Sequence, residues 1–303
     1  MTAAGALVVP VVAVGIWNYW AEVTAPPFDP GTMTLHFVEI GRGPKKMVLI
    51  HGLAGSARYW IGRVDALQHD YTLLVPDLLG FGQSPKPRAR YDLDDHLASL
   101  ERLISARQFD TGRTVLVGHS LGAVVALGLA SRHPAWFDSV VLIAIPVFRD
   151  RADATARLGR RSLLFRGMLE ENRLLRAAHY IRTLYGVTWL APLFGLPQDV
   201  YLDSMRHTWN SLSGTLDTTI LGQDYGALMA GARGLPILFI HGEKDAVAPI
   251  EAARALAARG RTVRFVAIPE ADHQLLLKDP ARVWSVVQEF ERDVVRPGGA
   301  APR

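Results

Sequence analysis

Three residues in this chain have the chemistry and the surroundings to cleave an acyl bond: Ser120, Asp245 and His273. Ser120 lies at the centre of Gly118-His-Ser-Leu-Gly122, a G-x-S-x-G pattern, between a β-branched run (Thr114 to Val117) and a long Ala/Val/Leu segment from Leu121. A strand-to-helix junction of this kind holds a serine on a strained turn and lifts its hydroxyl clear of the backbone. The flanking glycines leave room where strand and helix cross, and the helix amino terminus points free N–H groups at charge developing beside the serine. The alternative reading of the pattern alone is a glycine-flanked turn whose serine caps the helix.

A serine hydroxyl needs a base to become a nucleophile, and the base works best when a carboxylate orients its ring. His273 follows the apolar run Val263 to Ile268, in Pro269-Glu-Ala-Asp-His. Asp245 follows Leu235 to Ile240, in His241-Gly-Glu-Lys-Asp. Both sit just past buried strands, where parallel sheets bind ligands, and the order Ser, acid, His is the one that accompanies this turn. Glu243 and Asp272 compete with Asp245 for the acid, and His119 is too tightly held beside Ser120 to reach its hydroxyl. The oxyanion that forms during attack needs backbone donors. The strand Met47 to Ile50 runs into His51-Gly52, so the N–H of Leu53 and the N–H of Leu121 are the expected pair.

The elements that must position these residues are legible as alternation. Short apolar runs at Met47 to Ile50, Tyr71 to Val75, Thr114 to Val117 and Val140 to Ile145 read as strands buried on both faces. Segments of helical period, including Asp92 to Ala106 and Leu121 to Arg132, separate them. A half-buried strand is expected at Thr32 to Ile40 and a closing helix at Pro280 to Asp293. The reading is an α/β fold with a mostly parallel central sheet flanked by helices, residues 32–146 and 235–295, interrupted by a helical cap at 147–234. Trp189, Phe194, Trp209 and Tyr225 of that cap are expected to line an apolar substrate pocket, although such residues are more often ordinary core.

Composition narrows the classes further. At 303 residues, with 49% apolar and 20% charged residues, the chain can bury a large core. The net charge of +4 is scattered rather than clustered, which argues against a nucleic-acid partner. There is no cysteine, so disulfides, thiolate metal sites and a cysteine nucleophile are excluded.

The amino terminus is unusual. No charged residue occurs from Met1 to Ala21, and Ala6 to Trp17 is almost wholly apolar, with Trp17, Tyr19 and Trp20 following as an interfacial belt would. Residues 1–31 are read as an apolar leader and linker. The leader is a marginal membrane anchor or a helix packed on the catalytic body, so the chain is membrane-associated or cytoplasmic. Residues 296–303 read as a flexible tail.

Together, His51-Gly52-Leu53, Asp77-Leu-Leu-Gly80-Phe-Gly82-Gln-Ser84, Gly118-His-Ser120-Leu-Gly122, His241-Gly-Glu-Lys-Asp245 and Asp272-His273 resemble the α/β-hydrolase fold family in its capped form, from about Leu35 to Phe290. The resemblance implies a Ser-His-Asp triad, no cofactor and no metal. It also implies a shaping role for Asp77 and Gly80, and a small-molecule or lipid ester as substrate. Ser120 argues against the epoxide hydrolases and haloalkane dehalogenases of that fold, which use aspartate at the turn. Carbon-carbon bond hydrolases, perhydrolases, acyltransferases and non-catalytic ligand-binding members keep the serine and remain alternatives to a carboxylesterase or lipase.

Overall fold

The structure, a computed structural model, describes residues 13, 15–160, 163–170, 172–182 and 196–295. Seven strands form one sheet: β1 (Phe37–Ile40), β2 (Lys45–Ile50), β3 (Tyr71–Pro76), β4 (Thr114–His119), β5 (Phe137–Ile143), β6 (Ile237–Gly242) and β7 (Val263–Ile268). Their order is β1-β3-β2-β4-β5-β6-β7. β1 pairs antiparallel with β3, and every other pairing is parallel. β4 and β6 are buried at every residue, which is why their sequences are continuously apolar rather than alternating.

The chain passes from β2 outward to β3 and then returns to β4 on the other side of β2. The reversal opens a crevice at the carboxyl ends of β2 and β4, paired as far as Ile50 opposite Gly118. The loop after β2 carries Leu53 and the turn after β4 carries Ser120. Sheet topology alone therefore brings these two together.

Helices α1 (Leu93–Ala106) and α2 (Leu121–Arg132) follow β3 and β4. Asp92 caps α1 by accepting the Asp95 N–H at 3.0 Å. Ten of the twelve residues of α2 are buried, because the helix is covered by sheet on one side and by cap helices on the other. That explains an Ala/Val/Leu/Gly sequence with no polar stripe.

Between β5 and β6 every described element is helical: α3 (Arg151–Leu158), α4 (Leu163–Leu169), α5 (Arg173–Arg182), α6 (Gln198–Asp203), α7 (Trp209–Gly214), a π-helical turn (Thr215–Ile220) and α8 (Tyr225–Gly231). Side chains pin this layer to the core. Ser211 Oγ donates to the Gly80 carbonyl at 2.9 Å, and Thr218 and Thr219 donate to the Tyr91 carbonyl at 3.1 and 2.9 Å. After β6 come α9 (Ile250–Ala257), α10 (Leu275–Lys278) and α11 (Pro280–Val295).

Several strand boundaries differ from expectation, two of them for a clear local reason. The strand expected from Thr32 begins only at Phe37, because Asp29 accepts from the Gly31 N–H and the Thr32 hydroxyl, both at 2.9 Å, and folds the chain into a turn. β5 ends at Ile143 because Ala144 takes φ 51°, which no strand accommodates. Residues 15–23 of the leader are helical and pack against the cap. No helix among the described residues is long and apolar enough to cross a membrane. Residues 1–12 of the leader and the tail at 296–303 lie outside the described residues.

Candidate active site

Ser120 sits between β4 and α2 with φ 54° and ψ −120°, a conformation that costs a non-glycine residue about 1–3 kcal/mol. The turn is held by its own backbone: the Ser120 N–H donates to the Ile143 carbonyl and its carbonyl accepts from the Ala123 N–H, both at 2.9 Å. The two glycines of the motif are steric requirements. A Cβ on Gly118 would collide with the Gly122 carbonyl, and one on Gly122 would collide with the carbonyls of Ile50 and His51. Only hydrogen at these positions lets α2 cross so close to β2 and β4.

His273 Nε2 lies 3.0 Å from Ser120 Oγ, and His273 Nδ1 lies 2.8 Å from Asp245 Oδ2. The Asp245 side chain is fully buried. Its other oxygen accepts the N–H groups of Val247 at 2.8 Å and Ala248 at 2.9 Å, so both oxygens are occupied and the carboxylate is fixed in direction. Burial by itself would raise the Asp245 pKa, but the rings of His241 and His273 and the Ala248 N–H outweigh it. The group is held well below the usual carboxylate range. A permanently ionised acceptor at Nδ1 keeps the ring proton there and leaves Nε2 as the basic nitrogen facing Ser120.

The two competing acids are placed elsewhere. Asp272 accepts the Gln274 N–H at 3.0 Å and pairs with Lys278, while Glu243 is exposed. The loops after β6 and β7 are tied to each other, because the Lys244 N–H donates to the Ala271 carbonyl at 2.8 Å. That bond sets the separation of Asp245 and His273.

His119 has a part that the sequence did not reveal. Its Nε2–H donates to the His273 carbonyl at 2.9 Å, and its ring stacks on Tyr59 with centroids 4.6 Å apart. Burial, with His273 nearby, pushes its pKa down to about 3, so it stays neutral and anchors the backbone of His273. A histidine preceding the serine carries no sequence signal for that bond, since the partner lies 154 positions away.

Leu53 and Ser120 both face one cavity of about 200 Å³. Gly52 packs so closely that a Cβ there would lie 3.2 Å from Ser120 Cβ, which brings the following peptide alongside the serine. Leu121 is the first residue of α2, so its N–H has no intrahelical acceptor. Among the described residues neither the Leu53 nor the Leu121 N–H bonds to another backbone group.

The cavity wall is mostly apolar. Phe148 and Leu158 come from the start of the cap, Leu196 and Val200 from the α6 region, Leu216 and Ile220 from the π-helical turn, and Tyr59, Pro146 and Val247 from the core. Of the four expected pocket residues, Trp189 and Phe194 lie outside the described residues. Trp209 and Tyr225 are not at the wall. Trp209 packs edge-on to His179, and the Tyr225 hydroxyl donates to the carbonyls of Ile220 at 2.8 Å and Pro146 at 2.9 Å. Tyr225 therefore stands one layer behind the pocket and braces two of its residues. Trp209 and Tyr225 stood out in the sequence by size, whereas most of the wall is aliphatic, with Tyr59 and Phe148, and looks like ordinary core. Among the described residues, no group of three or more His, Asp or Glu side chains is arranged to hold a metal ion.

Comparison with known proteins agrees with this architecture. The probable lysophospholipase BODYGUARD 4 of Arabidopsis thaliana is 39% identical over 125 residues, which are 39% of this chain and 30% of that protein. The chain thus spans less than a third of that relative's length. An uncharacterised protein of Mycobacterium tuberculosis is 27% identical over 264 residues, covering 82% of this chain and 76% of its own. Among solved structures, a thermophilic esterase from Thermogutta terrifontis superposes with a TM-score of 0.65 at 24% identity, covering 86% of this chain and 93% of its own. The sequence profile of the α/β hydrolase fold matches residues 45–280, from the first residue of β2 to the start of α11, and so the chain belongs to the α/β hydrolase fold family.

Proposed function

We propose that this protein is a serine carboxylic-ester hydrolase acting on an ester with an apolar acyl or alcohol group. The observation that carries the reading is the continuous chain from Ser120 Oγ through the His273 ring to Asp245, at 3.0 and 2.8 Å. His273 Nε2 takes the hydroxyl proton as Ser120 attacks the carbonyl carbon. The N–H groups of Leu53 and Leu121 hold the oxyanion, and the protonated ring then returns its proton to the departing alcohol. Water, deprotonated by the same nitrogen, releases the acid and restores Ser120. Asp245 stays ionised throughout and stabilises the imidazolium.

Two further observations support the ester class. The aliphatic cavity beside Ser120 suits a hydrocarbon chain better than a charged substrate. Relatives named as lysophospholipase and a structural neighbour named as an esterase fit the same chemistry. The test is initial-rate hydrolysis of p-nitrophenyl esters of increasing chain length by the wild type and by Ser120→Ala. Turnover that disappears in Ser120→Ala supports the reading. Equal rates for the two proteins would sink it and favour a ligand-binding member of the fold.

A further inference from the structure

The leader helix at residues 15–23 is built inside out. A helix that packs on a soluble domain turns its apolar stripe inward and its polar side chains to water. Here Asn18 and Glu22, one turn apart, face the cap. Asn18 Nδ2 donates to the Tyr180 carbonyl at 2.8 Å. The Glu22 carboxylate accepts from the Tyr180 hydroxyl at 3.1 Å and from the N–H groups of Trp209 at 3.0 Å and Asn210 at 3.3 Å, at the amino end of α7. Glu22 is only 9% exposed, so a charged group has been taken out of water to make this attachment.

The opposite face carries Ile16, Trp17 and Trp20, which are 52, 73 and 58% exposed. With Tyr19 they make up four of the seven exposed large hydrophobic side chains among the described residues, all within five positions. Leu174, on the α5 helix to which Asn18 and Glu22 attach, is 82% exposed. Scattered exposed apolar residues are normal, but a clustered set on one face marks a partner.

The sequence entering this face identifies the kind of partner. No charged residue occurs from Met1 to Ala21, and Leu7 to Val9 and Val11 to Val14 are runs of small aliphatic residues. Uncharged aliphatic chain that ends in Trp-Asn-Tyr-Trp matches the depth profile of a bilayer, where indole and phenol rings settle at the headgroup level. The exposed Arg173 of α5 adds a cation for lipid phosphates. We propose that the Trp17/Trp20 face of the leader docks on a lipid bilayer, and that the Asn18 and Glu22 attachments transmit this docking to the cap, holding the roof over Ser120 at the membrane surface.

The consequence is that the leader acts as a fixed bracket on the cap, and not merely as a tether. The cap contributes Val200 and Leu216 to the cavity wall, so a lipid ester would be drawn from the surface on which its own roof rests. That last step rests on the ester-hydrolase reading; the docking itself does not.

The 303-residue protein and Trp17→Glu/Trp20→Glu are compared by flotation with phosphatidylcholine vesicles, alongside hydrolysis of p-nitrophenyl butyrate in vesicle-free buffer. The wild type is expected to float and the variant to partition about tenfold or more weakly, from loss of two interfacial aromatics and gain of two charges. Soluble-ester rates should agree within about twofold, since neither residue touches the cavity. A wild type that stays in solution, or a variant that floats equally well, overturns the docking. So does a variant whose only change is a smaller size in gel filtration, because a second copy would then cover the face. Glu22→Ala separates bracket from tether: it is expected to float like the wild type, keep soluble-ester activity, and hydrolyse monoacylglycerol in vesicles several-fold more slowly. Undiminished vesicle activity in Glu22→Ala overturns the coupling to the cap. If no ester is hydrolysed by any of the proteins, the ester reading fails while flotation still decides the docking.

Discussion

Replacing Asp245 by asparagine changes one atom and should remove nearly all activity. Asp245 Oδ1 accepts from the Val247 and Ala248 N–H groups at 2.8 and 2.9 Å, so an amide at this position keeps its oxygen there. Its –NH₂ must then occupy the place of Oδ2, which is 2.8 Å from His273 Nδ1. A donor at that point obliges Nδ1 to accept, and the ring proton moves to Nε2. That nitrogen faces Ser120 Oγ at 3.0 Å, and once protonated it cannot take the hydroxyl proton. A wrong-tautomer base costs on the order of 10⁴ in kcat. At about 1.36 kcal/mol per decade this is roughly 5.5 kcal/mol of transition-state stabilisation. KM should change little, because the cavity wall is untouched. The assay is steady-state hydrolysis of p-nitrophenyl butyrate at neutral pH, with thermal unfolding to confirm an intact fold. A kcat above about a tenth of the wild-type value would refute the tautomer argument, and an equal collapse in Asp272→Asn would refute the choice of acid.

Three further outcomes follow from the geometry. Gly122→Ala should destabilise the fold by about 3 kcal/mol, read from urea unfolding, because the new methyl meets backbone carbonyls that cannot rotate away; a loss below about 1 kcal/mol would contradict the close crossing. Val200→Trp, projecting from α6 into a cavity of about 200 Å³, should cut kcat/KM for long-chain esters about tenfold or more while sparing the acetate, and a uniform loss would remove Val200 from the acyl pocket. Stability should fall with acid earlier than carboxylates alone dictate. Burial, reinforced by the neighbouring rings of His51 and His273 respectively, holds His96 and His119 at about 3, whereas unfolded histidine titrates near 6.5. The unfolded chain therefore takes up the protons first, so stability is full above about pH 6.5 and drains away as pH falls toward about 3. At about pH 5 each histidine removes roughly 2 kcal/mol, and the pair roughly 4. Asp245, whose folded pKa is depressed, keeps its contribution in this window and loses it only at lower pH. Urea unfolding at about pH 7.5 and about pH 5 measures the difference, and equal stabilities would show that these histidines are not buried neutral.

Much of the core was legible because its constraints are local. β2, β4 and β6 are apolar runs whose chemistry is set by burial, and Gly118 and Gly122 mark a close crossing that only glycine permits. Once the strands are placed, Asp245 and His273 fall at neighbouring strand ends, and the structure brings both to Ser120. The pocket was not legible in this way. Its wall draws Tyr59, Pro146, Val200, Leu216 and Val247 from five separate stretches, and nothing in an aliphatic residue's type distinguishes cavity wall from interior. Trp209 and Tyr225, which stood out by size, instead brace the cap from within. The orientation of the leader was also hidden, because nothing in its apolar residues revealed that its hydrogen bonds to the cap are made by Asn18 and Glu22.

The proposed chemistry depends on the activation of Ser120 by His273. Its most direct test is peptide mapping by mass spectrometry after incubation with a fluorophosphonate, which forms a covalent bond to an activated serine. A single adduct is expected on Ser120 in the wild type, with much slower labelling in His273→Ala and none in Ser120→Ala. An unlabelled Ser120 in folded wild-type protein, or labelling that proceeds at the same rate without His273, would contradict it.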